Sequence, residues 1–567
     1  MNSFNRQNLT AIIKGSHVSE IDRKCLSSGI DSKWLMNNAG TKVSDYIAAY
    51  FGAPTENEGP FVIDDIEMKK YPLNKSNKCE IKGTVVCGGG NNGGDGFVCA
   101  INLLKQNYII NLYCLIPVDK LTKDSAFYFS ELKQLKDEAK LQNLNIYFIS
   151  EDLEKDIRIF KENLKNSRFV VDAIFGTGLH ENEIRGFAKE IIGFINEAKE
   201  NNKNLKIFAV DIPSGIDSDN GKVLGTAISA DFTITFGAKK LGIASYPGVY
   251  HAGKIEIADI GIPQKLYEEY ENIYEANFEW VADKIPKRTP QSYKHSVGKL
   301  LVIAGSLGFT GAAAMACEAA MRAGAGIVTL VCPWELNFIF EVKLTEVMTL
   351  PVEQTEEGSL HFDAFSEILA ESERYDALAI GPGVSRNPST VRLIREILKK
   401  IKKPTVLDAD GLKALAGPMD TEDDELYNLK HVIITPHPGE LASILSRVNI
   451  GSENRLEANM EASKKFNAVS LLKGSGTIIT NMEGVNFINP TGDFALATAG
   501  TGDILTGIIG SLLCQGMNLT DAAVCGAYIH GLSSDIISKK TGKASLIATD
   551  LLEGIKHVFL EIEKLKY

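Results

Sequence analysis

Repeatedly along this chain a short run of Val, Ile, Leu and Phe ends at an aspartate or a glycine-rich turn, and a helical stretch follows. In the first half the runs lie at 83–87, 109–115, 169–172, 207–211 and 232–236, with helical periods at 132–141 and 184–198 between them. The rhythm restarts at 299–304 and returns at 376–383, 406–411, 433–436 and 469–472. Unbroken apolar runs separated by helices predict strands buried on both faces of a mostly parallel sheet. The expected class is α/β, and 567 residues exceed what one core organises, so two three-layer domains are predicted. The pattern fades between Asn272 and Lys287 and gives way to Pro286-Lys287-Arg288-Thr289-Pro290. The domains are accordingly placed at 1–275 and 285–567.

Composition removes several partners. A formal charge of −12 argues against nucleic acid, whose phosphates demand clustered Lys and Arg. The lysine pairs Lys239-Lys240 and Lys399-Lys400 stand without a basic run and read as solvated faces. Nine cysteines form no C-x-x-C pair and several sit in apolar segments, which predicts reduced, buried thiols in a cytoplasmic protein. No uninterrupted apolar segment is long enough to span a bilayer, and the start of the chain has no signal-peptide pattern.

Chemistry is expected where strands end, because open α/β sheets bind ligands outside the carboxyl ends of their strands. The run 85–87 enters Gly88-Gly89-Gly90-Asn91-Asn92-Gly93-Gly94-Asp95-Gly96. Such a turn lets backbone approach a ligand closely, and the helix that follows favours an anion. Asp172 leads to Gly176-Thr177-Gly178-Leu179, and Asp211 leads to Pro213-Ser214-Gly215. Asn92, Asp172 and Ser214 are hard oxygen donors with no Cys or His cluster near them in sequence, which suits an alkali or alkaline-earth cation. Asp211, facing the glycines from a strand end, is a candidate acid–base group.

In the second half, Gly500-Thr501-Gly502-Asp503 opens an apolar helix, so free amides and a possible base stand together. Lys473-Gly474-Ser475-Gly476-Thr477 supplies another small-residue turn at a strand end, and Thr435-Pro436-His437-Pro438-Gly439-Glu440 fixes a histidine between prolines. The Ala-rich stretch from Gly311 to Arg322 reads as tight helix–sheet packing, with Gly324 as its left-handed cap.

These residues carry a resemblance. The segment 89–96, Asp172 with Gly176-Thr177-Gly178, Asp211-Ile212-Pro213-Ser214-Gly215 and Ala230-Asp231-x-Thr233-x-Thr235-Phe236 resemble the YjeF N-terminal family, epimerases of hydrated NADH and NADPH. The resemblance implies a Rossmann-like sheet. It places the hydrate on Asn91, Asn92, Gly93, Gly94 and Asp95, on Gly176, Thr177, Gly178, Leu179, His180, Glu181 and Asn182, and on Asp211. It also implies potassium at Asn92, Asp172 and Ser214. The loop His180-Glu181-Asn182-Glu183-Ile184-Arg185-Gly186 departs from the shorter family pattern.

The second half resembles the YjeF C-terminal family, nucleotide-dependent dehydratases of the same hydrates with a ribokinase-like fold. That resemblance places the AMP part of an ADP cosubstrate on Lys473, Gly474, Ser475, Gly476, Thr477 and Gly502, with Mg2+ accompanying the ADP. It places the hydrate on Ala312, Gly383, His437 and Asp503, with Asp503 as the base. The expected partners are small molecules, hydrated NADH or NADPH and ADP, and the expected assembly is a homo-oligomer. Two other readings stay open here. Kinases of hydroxymethylpyrimidine or thiazole share the ribokinase-like fold, and the first fold serves some proteins as a scaffold, although this chain shows no basic face for that use.

Overall fold

The computed structural model describes residues 9–52, 81–139, 142–148, 153–179, 183–270, 272–416, 426, 428–451 and 454–566. The chain divides into two compact units, one of Ala11–Glu271 and one of Met1–Thr10 with Asn272–Tyr567. The strands met in the first unit are β1 (Leu9–Ile13), β2 (Lys82–Cys87), β3 (Ile109–Cys114), β4 (Leu144–Phe148), β5 (Phe169–Ala173), β6 (Lys206–Val210), β7 (Phe232–Phe236), β8 (Lys239–Lys240) and β9 (Lys254–Ala258). Seven of them make a sheet in the order β4-β3-β2-β5-β6-β7-β9, parallel throughout. The chain steps outward from β2 to β4 and then returns to place β5 beside β2. This is the Rossmann order, with its switch point between β2 and β5.

Strand side chains alternate between faces, and both faces are covered. Val85, Cys87, Val171 and Phe208 pack with Val43, Ile47, Phe97 and Leu104, from the helices Ser32–Tyr50 and Asn91–Lys105. Val86, Val170 and Ile207 pack with Phe160, Ile191 and Ile195. The sequence reading missed β4 and β9 for a physical reason. They are the two edge strands, so Leu-Asn-Ile-Tyr-Phe and Lys-Ile-Glu-Ile-Ala need no continuous apolar run and are only partly buried.

One reading is overturned outright. Lys239 and Lys240 are not a solvated face, being only 8% and 1% exposed. They form β8, which pairs with Ile12 and Ile13. Lys399 and Lys400, at the end of the helix Pro388–Lys400, are half-buried and exposed.

The second unit contains β10 (Ile273–Ala276), β11 (Lys299–Ile303), β12 (Ile327–Pro333), β13 (Met348–Val352), β14 (Ala377–Ile380), β15 (Thr405–Leu407), β16 (Val432–Ile434), β17 (Val469–Leu472), β18 (Ile478–Thr480) and β19 (Asn486–Ile488). Their order is β13-β12-β11-β14-β15-β16-β17-β18-β19-β10. Pairing is parallel from β13 to β17, after which β18 runs antiparallel to β17 and β19. A second switch point lies between β11 and β14. The stretch where the apolar pattern fades carries regular structure. Its β10 pairs with β19, and Asn277 caps the helix Phe278–Lys284 by accepting from the Trp280 amide at 2.8 Å.

The Ala-rich helix Thr310–Arg322 ends as expected, with Gly324 at φ 102°. Its small residues also serve a helix–helix crossing, because a Cβ on Gly507 of the helix Thr501–Cys514 would stand 2.1 Å from the Ala316 carbonyl oxygen. Eight cysteines are free and buried, and Cys79 lies outside the described residues. No helix among the described residues is long and apolar enough to cross a membrane.

Candidate functional site

Each unit gathers polar groups beyond the carboxyl ends of its parallel strands. In the first, a cavity of about 1030 Å³ opens beyond the ends of β2, β5 and β6. Asn91, Asn92, Asp95, Gly176, Thr177, Gly178, Leu179 and Asp211 all line it. Gly93 and Gly94 are instead packed inside the first turn of the helix Asn91–Lys105. A Cβ on Gly93 would meet the Gly88 carbonyl oxygen at 2.1 Å, and one on Gly94 would meet the Met36 sulfur at 2.4 Å. His180, Glu181 and Asn182 lie outside the described residues. Backbone cannot yield as a flexible side chain can, so Gly93→Ala is expected to cost the first unit about 1–3 kcal/mol, read as faster hydrogen exchange across β2 and β5.

Asp211 occupies a left-handed backbone conformation, φ 65°, at the end of β6. Its Oδ1 accepts from Lys240 Nζ at 2.5 Å, Thr235 Oγ1 at 3.0 Å and the Phe236 amide at 3.2 Å. Lys240 Nζ also donates to Thr235 Oγ1 and to the Phe236 carbonyl, so the pair is fixed in place. Asp22, Asp95 and Asp124 also line the cavity. Burial pushes Asp22 up to about 6, and burial together with the charges of Asp211 and Asp22 lifts Asp95 well above the carboxylate range. The cavity therefore offers both a charge-paired carboxylate and, in Asp95, a carboxyl inclined to keep its proton.

Asp172 is wholly buried, and its carboxylate accepts from the Ser214 hydroxyl at 2.5 Å, the Ser214 amide at 2.8 Å and the Ile174 amide at 3.3 Å. Burial pushes it up to about 6 against those hydrogen bonds. Asn92, on the cavity wall, has a buried amide nitrogen with no partner among the described residues.

In the second unit β15 delivers Asp408 and β17 delivers Lys473, whose Nζ pairs with Asp408 Oδ1 and lies 3.8 Å from Glu440 Oε2. Thr506 donates to the other Asp408 oxygen at 2.7 Å. Lys473 Nζ and Asp408 Oδ2 stand 3.6 and 3.7 Å from where a Cβ on Gly502 would be, so the two predicted turns meet. The helix Thr501–Cys514 begins at Gly500, φ 92°, with no side-chain cap, and the amides of Gly502 and Asp503 donate to no partner among the described residues. Asp503 is pushed up to about 7 by burial and the nearby Asp408 charge, with Lys473 pulling the other way.

The other predicted contacts fall at neighbouring strand ends. Gly383 and Ala312 adjoin across the β11–β14 switch point, 3.3 Å apart if Gly383 carried a Cβ. His437 caps the helix Pro438–Ile444, its Nδ1 accepting from the amides of Gly439 and Glu440. Glu440 returns the bond to the His437 amide, which leaves the exposed ring edge at Nε2, 3.4 Å from Glu440 Oε1.

The match to known proteins spans both units. Residues 32–242 match the family described as YjeF-related protein N-terminus, and residues 300–557 match NAD(P)H-hydrate dehydratase. Over 565 residues the chain is 35% identical to the bifunctional NAD(P)H-hydrate repair enzyme Nnr of Moorella thermoacetica, covering 98% of this chain and 97% of that one. The chain belongs to the family of bifunctional NAD(P)H-hydrate repair enzymes. It is also 32% identical over 476 residues to the Escherichia coli member of that family, covering 84% of each. Among solved structures, the ADP/ATP-dependent NAD(P)H-hydrate dehydratase of Bacillus subtilis, crystallised with ATP and Mg2+, matches 50% of this chain and 97% of its own, at 29% identity and a TM-score of 0.43.

Within this repair-enzyme chain several site residues escaped the sequence reading. Asp22 lies beside Ile21 on the buried stripe of the helix Gly15–Ser27, and a carboxylate on an apolar face was the available signal. Lys240 gave none, because two adjacent lysines look like surface. Thr506 and the buried His530 sit within continuous helices, and burial holds the His530 ring neutral, down to about 4.

Proposed function

We propose that the chain repairs hydrated NADH and NADPH in two steps, with epimerisation in the domain at 1–275 and ADP-dependent dehydration in the domain at 285–567. Membership of a bifunctional family across 98% of the chain, with a polar cavity in the first unit and a cluster of charged side chains at strand ends in the second, carries this reading. In the first unit Asp211, held by Lys240, moves a proton at the hydroxyl-bearing ring carbon while that carbon inverts. The carboxyl of Asp95, lifted well above the carboxylate range by burial, fits a site that needs an acid beside a base.

In the second unit Asp503 takes the proton of the ring hydroxyl as its oxygen attacks the terminal phosphoryl group of ADP, and AMP leaves. Breaking the carbon–oxygen bond then expels phosphate, with the ring nitrogen supplying the electrons. Loss of a proton from the adjacent ring carbon completes the dihydronicotinamide. The amides of Gly502 and Asp503 and the ammonium of Lys473 stabilise the charge on the transferring oxygens. A Mg2+ ion arriving with the nucleotide would be held chiefly by the phosphates, since no group of three or more His, Cys, Asp or Glu among the described residues could hold a metal ion.

One observation supports potassium in the first unit: the buried Asp172 carboxylate has no cationic partner among the described residues, with the Ser214 hydroxyl against it and Asn92 on the cavity wall as a further uncharged donor. The ion would supply positive charge next to the loops that follow β5 and β6. The decisive experiment mixes the protein with both hydrate epimers, with and without ADP. Without ADP the epimers should equilibrate and no dihydronicotinamide absorbance should appear. With ADP both epimers should be consumed, one AMP forming per cofactor recovered. Consumption of a single epimer would remove the first step, and recovery without AMP would remove the second.

A further inference from the structure

The turn between β17 and β18, residues 473–477, is built around a guanidinium. Arg455 opens the helix Arg455–Phe466 and is only 9% exposed. Its Nη1 donates to the Ser475 carbonyl at 2.5 Å, and its Nη2 to the carbonyls of Lys473 at 3.5 Å and Gly476 at 3.4 Å. Gly474, at φ 137°, passes so close that a Cβ there would lie 2.9 Å from Nη2. A trans peptide sets each carbonyl antiparallel to the amide of the next residue. Carbonyls drawn toward Arg455 therefore turn the amides of Gly474, Gly476 and Thr477 the opposite way, and those amides donate to no partner among the described residues.

We infer that Arg455 is a positioning residue for the nucleotide: by gathering the carbonyls of this turn it holds the opposing amides as a concave cradle for the anionic part of ADP. Successive amides facing one point make an anion site, and the buried positive charge behind them deepens it. Arg455 itself does not touch the ligand. Lysine is no equivalent here, since one ammonium cannot span carbonyls that a planar fork reaches together. The inference rests on the reading that the second unit binds ADP.

The test uses the full chain with Arg455→Ala and Arg455→Lys, measuring the KM for ADP, kcat at saturating ADP and AMP affinity by calorimetry. Charge-assisted hydrogen bonds are the ones lost, so Arg455→Ala should raise the KM for ADP by about 10- to 100-fold, with kcat within about 3-fold of wild type. Arg455→Lys should show the same pattern to a smaller degree, which serves if the alanine variant folds poorly. Guanidinium ion at millimolar concentration should restore part of the ADP affinity to the alanine variant and none to the lysine variant. Epimerase activity of the same chain should be unchanged. An unchanged KM for ADP in both variants, or a fall in kcat with KM constant, overturns the inference. Failure of the wild-type chain to bind ADP overturns the function proposed above instead.

Discussion

Asp503→Asn is expected to lower dehydration by about 100- to 10,000-fold, the range supplied by a positioned proton acceptor, while ADP binds as tightly as before or more so. The substitution keeps the shape of the side chain and leaves the amides of Gly502 and residue 503 in place, since they belong to the backbone of the helix Thr501–Cys514. It removes a negative charge beside incoming phosphates, so affinity has no reason to fall. The pH dependence follows from the same group. Burial, with Asp408 adding to it, pushes Asp503 up to about 7. Only the ionised form can take a proton, so kcat/KM for the hydrate should rise with pH through about 7 and fall tenfold per unit well below it. A plateau continuing down to about pH 5, or near wild-type turnover in the asparagine variant, removes Asp503 from the role of base.

Lys240→Met is expected to be the most damaging single change in the first unit. Lys240 is 1% exposed, and its ammonium is the charged partner of Asp211. Methionine preserves the length of the side chain but leaves a buried carboxylate with only the Thr235 hydroxyl and the Phe236 amide. Removing one member of a buried pair costs about 3–5 kcal/mol, mostly from the charge left behind. Hydrogen exchange across β6 and β7 should quicken accordingly, and epimerisation should be lost while dehydration of the reactive epimer continues. Adding Asp211→Asn removes the stranded charge, so the double variant should regain stability without regaining epimerase activity. Should Lys240→Met exchange at the wild-type rate, the ion pair is not what holds this end of the sheet.

The chemistry of the main-chain turns was open to reading from the residues because glycine is costly and has few uses. The segment 88–96 and the pair Gly381 and Gly383 each mark where a parallel strand ends, and strand ends are where such sheets place ligands, while the turn at Gly500 opens a helix. Asp172, Asp211 and Asp408 stood out as carboxylates closing apolar runs. Side chains that reach the same places from elsewhere carry no such mark. Asp22 comes from a helix far earlier in the chain and Arg455 from the start of the helix that precedes β17, and only the fold brings Asp22 to the cavity or Arg455 to the turn at 473–477. Lys240 was misread because charge pattern reports on solvent only until a buried carboxylate supplies a partner. The edge strands β4 and β9 were missed because one side of each lacks a neighbour, so their sequences are free to mix polar and apolar residues.

Gly500 holds a left-handed conformation at the mouth of an uncapped helix, and the donors it presents are peptide nitrogens. Every amino acid except proline carries that group, so no ordinary substitution at Gly502 or Asp503 can delete the donor itself. A phosphate-mimicking inhibitor seated there would grip the one part of the protein that codon changes leave untouched. Escape would have to come from bulk introduced beside the mouth or from a shift of the backbone, and either change would tend to exclude the nucleotide as well.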